Sequence, residues 1–387
     1  MTINPALAAL SLGSFAIGLT EFTPMGLLPS IAQGLGVSIP AAGLVVTAYA
    51  FGVTVFAPLV TLAAGRIARN HLLIALAVVL AAGNLIAAAA PGYHALLVAR
   101  GITALCQGTF FGVGSLVAAS LVAPGRQAGA VAAVFMGLTV ANVAGVPAMT
   151  WLGEIAGWRV PFVVIAGLGL LTALALSRAL PRLPAPAGAN ALAEIRVMLR
   201  GPVLFALGMT VLTSTGQFTV FTYIAPMLQQ VTGSSAETIT LALVIVGLGM
   251  TLGNALGGRA ADRSLSATLI VTLAALIVLL IGLSLVLARL VPTLGLLFVW
   301  GGLCFALVPT MQMRVMRFAA DAPTLASSVN IGAFNLGNGL GAVVGGAVIR
   351  EGFGYADIAL ASAAVFAVPL ILAVAQLVLR PGRMVQA

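Results

Sequence analysis

The chain contains no lysine, and only 8 of its 387 residues are Asp or Glu. A Walker phosphate loop needs Gly-x4-Gly-Lys-Ser/Thr, so nucleotide binding of that type is excluded. Charged residues make up 6% of the sequence, against about 25% in an ordinary soluble domain. There is too little charge to cover a water-facing surface. Cysteine and histidine number two each. Cys106 and Cys304 stand in separate apolar runs and read as small buried hydrophobes, and His71 and His94 stand at run ends. No Cys/His/carboxylate cluster has metal spacing, so neither a metal nor any other cofactor is expected. No nucleophile, base and acid set points to an enzyme. The N-terminus lacks the basic start of a cleavable signal and its apolar run is too long for one, so it reads as a first membrane span.

What the chain does have is apolar surface. Hydrophobic residues are 61% of the sequence and the mean hydropathy is +1.19. The solvent for such a chain is lipid. The formal charge of +9 comes from 17 arginines scattered in ones and twos, which is not the basic stripe of a nucleic-acid binder. A helix needs about 20 apolar residues to cross the hydrocarbon core. Twelve such runs occur, at 6–29, 40–63, 72–91, 94–122, 129–153, 159–180, 202–230, 236–257, 267–288, 292–314, 323–349 and 356–379. The expected fold is an all-α membrane protein of twelve transmembrane helices in two pseudo-symmetric six-helix bundles. Residues 1–180 and 201–387 would form the bundles, and the polar, proline-bearing stretch 181–200 the linker between them.

Orientation follows from arginine placement. With both termini in the cytoplasm, the inner connections hold Arg66, Arg69, Arg126, Arg178, Arg182, Arg196, Arg200, Arg259, Arg263, Arg314, Arg317, Arg380 and Arg383, and the outer ones Arg159, Arg289 and Arg350. Thirteen against three is the asymmetry of the positive-inside rule. The halves also repeat. An offset of 197 residues matches Pro29 with Pro226, Gly52 with Gly249, Arg66 with Arg263, Glu154 with Glu351 and Gly157 with Gly354. Parallel repeats of this kind place a substrate site at the bilayer midplane between the halves.

Two ionisable residues lie deep in apolar runs: Glu21 and Arg100. An ionisable residue within the membrane is costly and marks a functional site by default. At 1.5 Å per residue, Glu21 lies about 12 Å and Arg100 about 10 Å from the outer ends of their spans. At one depth the two should pair or share a cavity. Burial favours a neutral acid and a neighbouring cation favours its ionised form, so such a Glu can load and release a proton as its distance to the cation changes. A permanent structural ion pair is the competing reading. Phe22, Phe110, Phe111, Phe218, Phe221 and Tyr223, with Gln107, Asn142, Ser214, Gln217, Thr222, Asn330, Asn335 and Asn338, could line an aromatic, uncharged pocket. The amides could equally tie helices together. Gly337, Gly341 and Gly345 form a small-residue ridge, and Gly137, Gly145 and Pro147 mark a bendable packed helix. Ser234 and Glu237 have the spacing of a capping box opening the eighth span, and Asp321 before Pro323 that of a helix start.

The sequence resembles the major facilitator superfamily over its whole length, and within it the bacterial twelve-span drug:proton antiporters of the arabinose-, sugar- and chloramphenicol-efflux-like branch. The resemblance rests on Thr20-Glu21-Phe22 and Gly26-Leu27-Leu28-Pro29; on Ala99-Arg100-Gly101 and Gln107-Gly108; on Gly137 to Asn142 and Gly145-Val146-Pro147; and on Gly258, Asp262 and Arg263 between spans 8 and 9. The first half departs from the loop motif, with Thr61 and Gly65 at its Gly and Asp positions, and keeps Arg66 and Arg69. In the span 5 motif, Val146 replaces the glycine before Pro147.

The resemblance implies proton-coupled efflux of a small molecule by alternating access, in the bacterial inner membrane. Proton-coupled uptake is the alternative; a channel or an intramembrane enzyme fits less well. Glu21 and Arg100 would couple protons, and Arg66, Arg69, Gly258, Asp262 and Arg263 would gate. The expected partners are a small-molecule substrate, protons and lipid, with no nucleic acid, and the protein is expected to act as a monomer. A cysteine introduced within 184–195 should resist impermeant labelling from outside intact cells. Labelling there would overturn the orientation.

Overall fold

Lipid offers backbone groups no hydrogen bonds, so each spanning segment must satisfy its own, as a helix does. The computed structural model describes residues 4–64, 67–123, 127–181 and 191–379, and no strand occurs among them. The helices are α1 (Pro5–Gly26), α2 (Leu28–Leu35), α3 (Ile39–Ala63), α4 (Arg69–Ala88), α5 (Tyr93–Ser120), α6 (Gln127–Val140), α7 (Val146–Ala156) and α8 (Arg159–Ala179). They continue as α9 (Ala191–Met198), α10 (Gly201–Phe221), α11 (Ile224–Val231), α12 (Ala236–Arg263), α13 (Leu265–Val286), α14 (Leu290–Phe318), α15 (Pro323–Arg350) and α16 (Asp357–Leu379). A π-helical turn, Ala141–Gly145, joins α6 to α7. With α6–α7 and α10–α11 each taken as one crossing, twelve segments are long and apolar enough to span a membrane. The stretch expected as a linker contains α9, and its residues 182–190 lie outside the described residues.

The 197-residue repeat reaches the backbone. α1 breaks into α2 at Leu27 (φ −102°, ψ 6°), and α10 breaks into α11 at Tyr223 (φ −111°, ψ 13°). Each short helix is followed by a left-handed glycine, Gly36 at φ 63° and Gly233 at φ 64°, separated by the same offset. A residue with a Cβ would be strained at either position.

Glycine also sets how closely the helices approach. A Cβ on Gly253 of α12 would lie 1.9 Å from the Gly302 carbonyl of α14, and one on Gly249 would lie 2.1 Å from that of Phe298. The α15 ridge lies on α10: a Cβ on Gly337 or Gly341 would stand 2.4 Å from the Val211 oxygen or 2.6 Å from the Thr215 oxygen. Gly345 meets the Tyr223 ring, Gly137 the Ser11 carbonyl of α1, and Gly145 the Leu19 side chain. Pro147 explains the π turn. Proline cannot donate a backbone bond, and just before it the Val146 N–H reaches back five residues to the Ala141 carbonyl. Between the first six crossings and the last six, α3 lies along α15, where Thr54 donates to the Gly332 carbonyl at 3.0 Å and Thr47 to that of Gly339 at 3.4 Å.

Four expectations shift. Arg314 is not in a connection: α14 runs to Phe318, and Arg314 is buried, donating to Gln376 of α16 beside the Phe205 ring. At 29 residues α14 outruns the apolar core, so its last turns can carry a guanidinium that finds a protein acceptor. Ser235, not Ser234, caps α12, accepting from the Thr238 N–H at 3.4 Å. Asp321 does not cap α15; that place falls to Ala322, and Asp321 pairs with Arg200 at 2.6 Å. Gly258, Asp262 and Arg263 lie on the last turns of α12 and not in a loop, because Ser264 caps the next helix and ends this one. Replacing Gly253 with Ala should destabilise the purified protein by about 1–3 kcal/mol through overpacking. Gly208→Ala, which meets open space, should be neutral or slightly stabilising, as read by thermal unfolding in detergent.

Candidate functional site

A cavity of about 630 Å³ lies between the two sets of six crossings. Its walls come from α1 (Glu21, Phe22), α5 (Gln107, Phe111, Ser115), α6 and the π turn (Phe135, Thr139, Asn142), α10 (Ser214, Gln217, Phe218), α12 (Met250, Thr251, Asn254), α14 (Phe305, Gln312, Met316) and α15 (Ser327, Phe334, Asn335, Asn338). The α15 contribution is a helical stripe, with Ser327, Ile331, Phe334, Asn335 and Asn338 spaced by three or four residues. The cavity runs from Glu21 to Ala119 and Met316, near the end of the bundle that carries Arg69, Arg200 and Arg263. This is called the basic end below, and the opposite one the far end. Among the described residues, Glu21 is the one charged side chain in the cavity wall.

Glu21 is held from both sides. Its Oε2 accepts from Gln107 Nε2 of α5 at 2.6 Å, and its Oε1 accepts from Asn338 Nδ2 of α15 at 3.2 Å. Asn338 is itself fixed by Ser214, whose hydroxyl lies 2.5 Å from Asn338 Oδ1 and 2.9 Å from the Phe334 carbonyl. Gln107 and Asn335 both line the cavity, and Gln107 Oε1 and Asn335 Oδ1 are buried without a protein partner.

Arg100 is not ion-paired with Glu21. Its Nη1 donates to the Thr20 carbonyl at 2.5 Å and its Nε to the Val45 carbonyl at 3.2 Å, and its guanidinium lies 4.2 Å from the centre of the Tyr49 ring. The cause is in α1. Pro24 has no N–H, so the carbonyl four residues back, that of Thr20, has no helical donor. A buried carbonyl must find another donor, and Arg100 supplies it. The guanidinium fork thereby fastens α1 and α3 to α5. Arg100 and Gln107 are seven residues apart on one face of α5, so the same face carries the fastener and the carboxylate's partner.

The far end is closed. Phe22 of α1 lies 6.3 Å from Phe218 and 5.8 Å from Phe221 of α10 between ring centres, and Phe221 meets Trp300 of α14 at 6.0 Å. The Tyr223 hydroxyl donates to the Ala342 carbonyl at 2.7 Å, and a Cβ on Gly43 of α3 would lie 2.3 Å from it. Beside the cavity, Gly247 of α12 lies against the Asn142 carbonyl of the π turn. Among the described residues no three His, Cys, Asp or Glu side chains gather as a metal site.

The sequence profile of the Major Facilitator Superfamily matches residues 10–346. The chain belongs to that superfamily. This superfamily member is thus a membrane transporter and not an enzyme. It is 49% identical over 372 residues to the inner membrane transport protein YdhP of Escherichia coli, covering 96% of each chain. It is 34% identical to a chloramphenicol resistance protein of Streptomyces lividans, covering 92% of each. Its fold is that of the crystal structure of a D-xylose-proton symporter (TM-score 0.76, 16% identity, 96% of this chain and 97% of that one).

In this transporter the residues expected to form a pocket divide. Phe22, Gln107, Phe111, Asn142, Gln217, Phe218 and Asn335 line the cavity. Phe110, Phe221, Tyr223 and Asn330 do not. Phe110 packs on Gly13 within the first six crossings, and Phe221 and Tyr223 belong to the far-end closure. Asn330 bonds Thr210 and Gln312, its amide spent between helices. Sequence reading passed over Gln312, Thr139, Thr251 and Asn254, which the spacing along α6, α12 and α14 could have singled out. Of the expected gating set, Arg66 lies outside the described residues. Arg69 opens α4, and Gly258 and Arg263 stand at the basic end of α12. Arg100→Lys loses the two-armed fork and should lower thermal stability. Pro24→Ala restores an N–H to the Thr20 carbonyl, so the Arg100→Lys loss should shrink in that background by about 0.5–3 kcal/mol in a double-mutant cycle. Strict additivity would show that Arg100 does not serve the carbonyl Pro24 frees.

Proposed function

We propose that the protein is a proton-coupled efflux transporter that exchanges protons for an uncharged or weakly cationic, partly apolar small molecule. The observation that carries this reading is Glu21: a lone carboxylate in the cavity wall, hydrogen-bonded to helices on both sides of the cavity. A carboxyl group that meets the cavity can exchange a proton with it. The remaining wall is amides, hydroxyls, thioethers and aromatic rings, which suits a ligand with a few polar groups and a hydrophobic body. Among the described residues it offers no cation to bind a phosphate or a dicarboxylate.

Efflux is favoured by the relatives, among them a protein that confers chloramphenicol resistance, and the inner membrane by YdhP. Residues 1–180 and 201–387 form the two rocking bodies, with 181–200 joining them and both termini in the cytoplasm. The basic end is then cytoplasmic and the cavity faces inward. Arg66, Arg69, Gly258, Asp262 and Arg263 meet at the basic end when the protein closes there. A single chain completes the pathway, so the monomer is the working unit.

In everted vesicles holding a proton gradient, neutral and weakly cationic compounds should dissipate the gradient, and sugar phosphates and dicarboxylates should not. In proteoliposomes, Glu21→Gln should abolish substrate-induced proton flux while leaving substrate exchange measurable. Undiminished flux in that variant would place the proton on another group. Uphill accumulation in the direction of the proton gradient would make the protein a symporter instead.

A further inference from the structure

Ser214 sits within reach of two acceptors, Asn338 Oδ1 at 2.5 Å and the Phe334 carbonyl at 2.9 Å. A serine hydroxyl has one proton and can serve only one of them fully at a time. Asn338 stands between that hydroxyl and Glu21. While Glu21 is ionised it can only accept, so Asn338 must turn its Nδ2 toward Oε1 and its Oδ1 toward Ser214, as observed. Ser214 then gives its proton to Asn338.

We propose that Asn338 is a positioning residue that reads the proton on Glu21 by turning over its amide, and so passes proton loading from α1 to the α10–α15 pair. The inference rests on the reading of Glu21 as the proton carrier. A proton from the cavity forms an O–H bond on Oε1, and nothing is oxidised or reduced. Oε1 is the oxygen with the longer bond, 3.2 Å to Asn338, and Oε2 keeps its 2.6 Å bond to Gln107. The new hydroxyl competes with the Asn338 N–H for the same approach and is a weaker acceptor than the carboxylate, which favours turning the amide. A half-turn of the amide places Oδ1 to accept from Glu21 and Nδ2 to donate to Ser214. Ser214 then gives its proton to the Phe334 carbonyl, its second acceptor in the structure. Every hydrogen bond in the chain reverses and none is lost. What changes is strength: a bond from an amide to a carboxylate becomes one between neutral groups, which is about half as strong. The tie between α1 and α15 therefore slackens when Glu21 is loaded.

The groups around Glu21 leave it free to set this response. Arg100 of α5 and Tyr49 of α3 are the other ionisable side chains acting near it, and both types keep their protons where a carboxyl group titrates. The walls from α6, α10, α12, α14 and α15 are uncharged.

The test is the pH dependence of cavity opening in the full chain, reconstituted in lipid nanodiscs. Spin labels would be placed through His71→Cys on α4 and Ala267→Cys on α13, both exposed at the basic end; the two native cysteines are buried. In the otherwise unaltered protein the ratio of open to closed distances should change about tenfold between acid and alkaline pH, and in Glu21→Gln it should not change. Asn338→Leu and the milder Ser214→Ala should flatten or displace that profile while the protein stays folded, as read by its thermal unfolding in detergent. Profiles in both variants that match the unaltered protein, with Glu21→Gln flat, would overturn the relay and leave Glu21 as the carrier. A pH response that survives in Glu21→Gln would overturn the reading of Glu21 itself.

Discussion

A carboxylate held by two neutral amides, one from each side of the cavity, is the interaction on which the site depends. Glu21 has no cation in contact. Its charge is met by the Gln107 and Asn338 dipoles, at 2.6 and 3.2 Å, with Arg100 acting from beyond hydrogen-bonding reach. This differs from a buried ion pair. A direct guanidinium partner would hold Glu21 permanently ionised and make breaking the contact strongly unfavourable. Amides can turn to serve either protonation state, so they stabilise the acid and its base in turn. The carboxylate also lines the cavity, where water and ligand can reach it.

The reason Arg100 stands apart lies one turn along α1. Pro24 withholds a backbone donor from Thr20, and the guanidinium is committed to that carbonyl and to Val45. One missing N–H thus decides where a charge sits. It also places a rigid three-helix joint of α1, α3 and α5 directly behind Glu21. Asn84 extends the joint to α4 by donating to the Thr20 hydroxyl at 3.1 Å. The carboxylate is therefore mounted on a fixed wall within the first six crossings, and its contact with Asn338 reaches across the cavity.

Much of this was legible in the sequence. The twelve crossings follow from hydropathy alone, and the 197-residue offset relates the left-handed glycines Gly36 and Gly233 and falls within one residue of relating the breaks at Leu27 and Tyr223. Glu21 stands out because a charge in an apolar run is rare. The side to which a residue points was not legible in the same way. Phe110 and Phe111 are neighbours in sequence, yet one packs on Gly13 and the other faces the cavity, since adjacent residues on a helix differ by about 100°. Asn330 and Asn335 look alike in the sequence, but one is spent between helices and the other lines the cavity. The separation of Arg100 from Glu21 was hidden for another reason. Equal depth says nothing about azimuth, and the competing acceptor is a backbone carbonyl that no side-chain pattern announces.

If Glu21 carries a proton as proposed, the energies of its contacts bear on what that proton can do. Within each set of six crossings, glycines bring backbones together along long ridges, as at Gly253 with Gly302 and at Gly341 with Thr215. Such contacts leave no room for sliding without wholesale repacking. Between the two sets Gly247 also meets the Asn142 carbonyl, but the ties joined to the cavity and to α3 are two threonine hydroxyls on α15 carbonyls, the Asn338 amide on Glu21, and Phe22 against two rings. Each is worth about 0.5–1.5 kcal/mol if neutral and about 1.5–3 kcal/mol if charge-assisted. A change of that size in any one of them is enough to shift a balance between two conformations. Neutralising Glu21 removes roughly 1.4 kcal/mol from one tie, a tenfold change in the balance. On the reading proposed for Glu21, the carboxylate can act in this way because its bond to Asn338 joins the first six crossings to the last six.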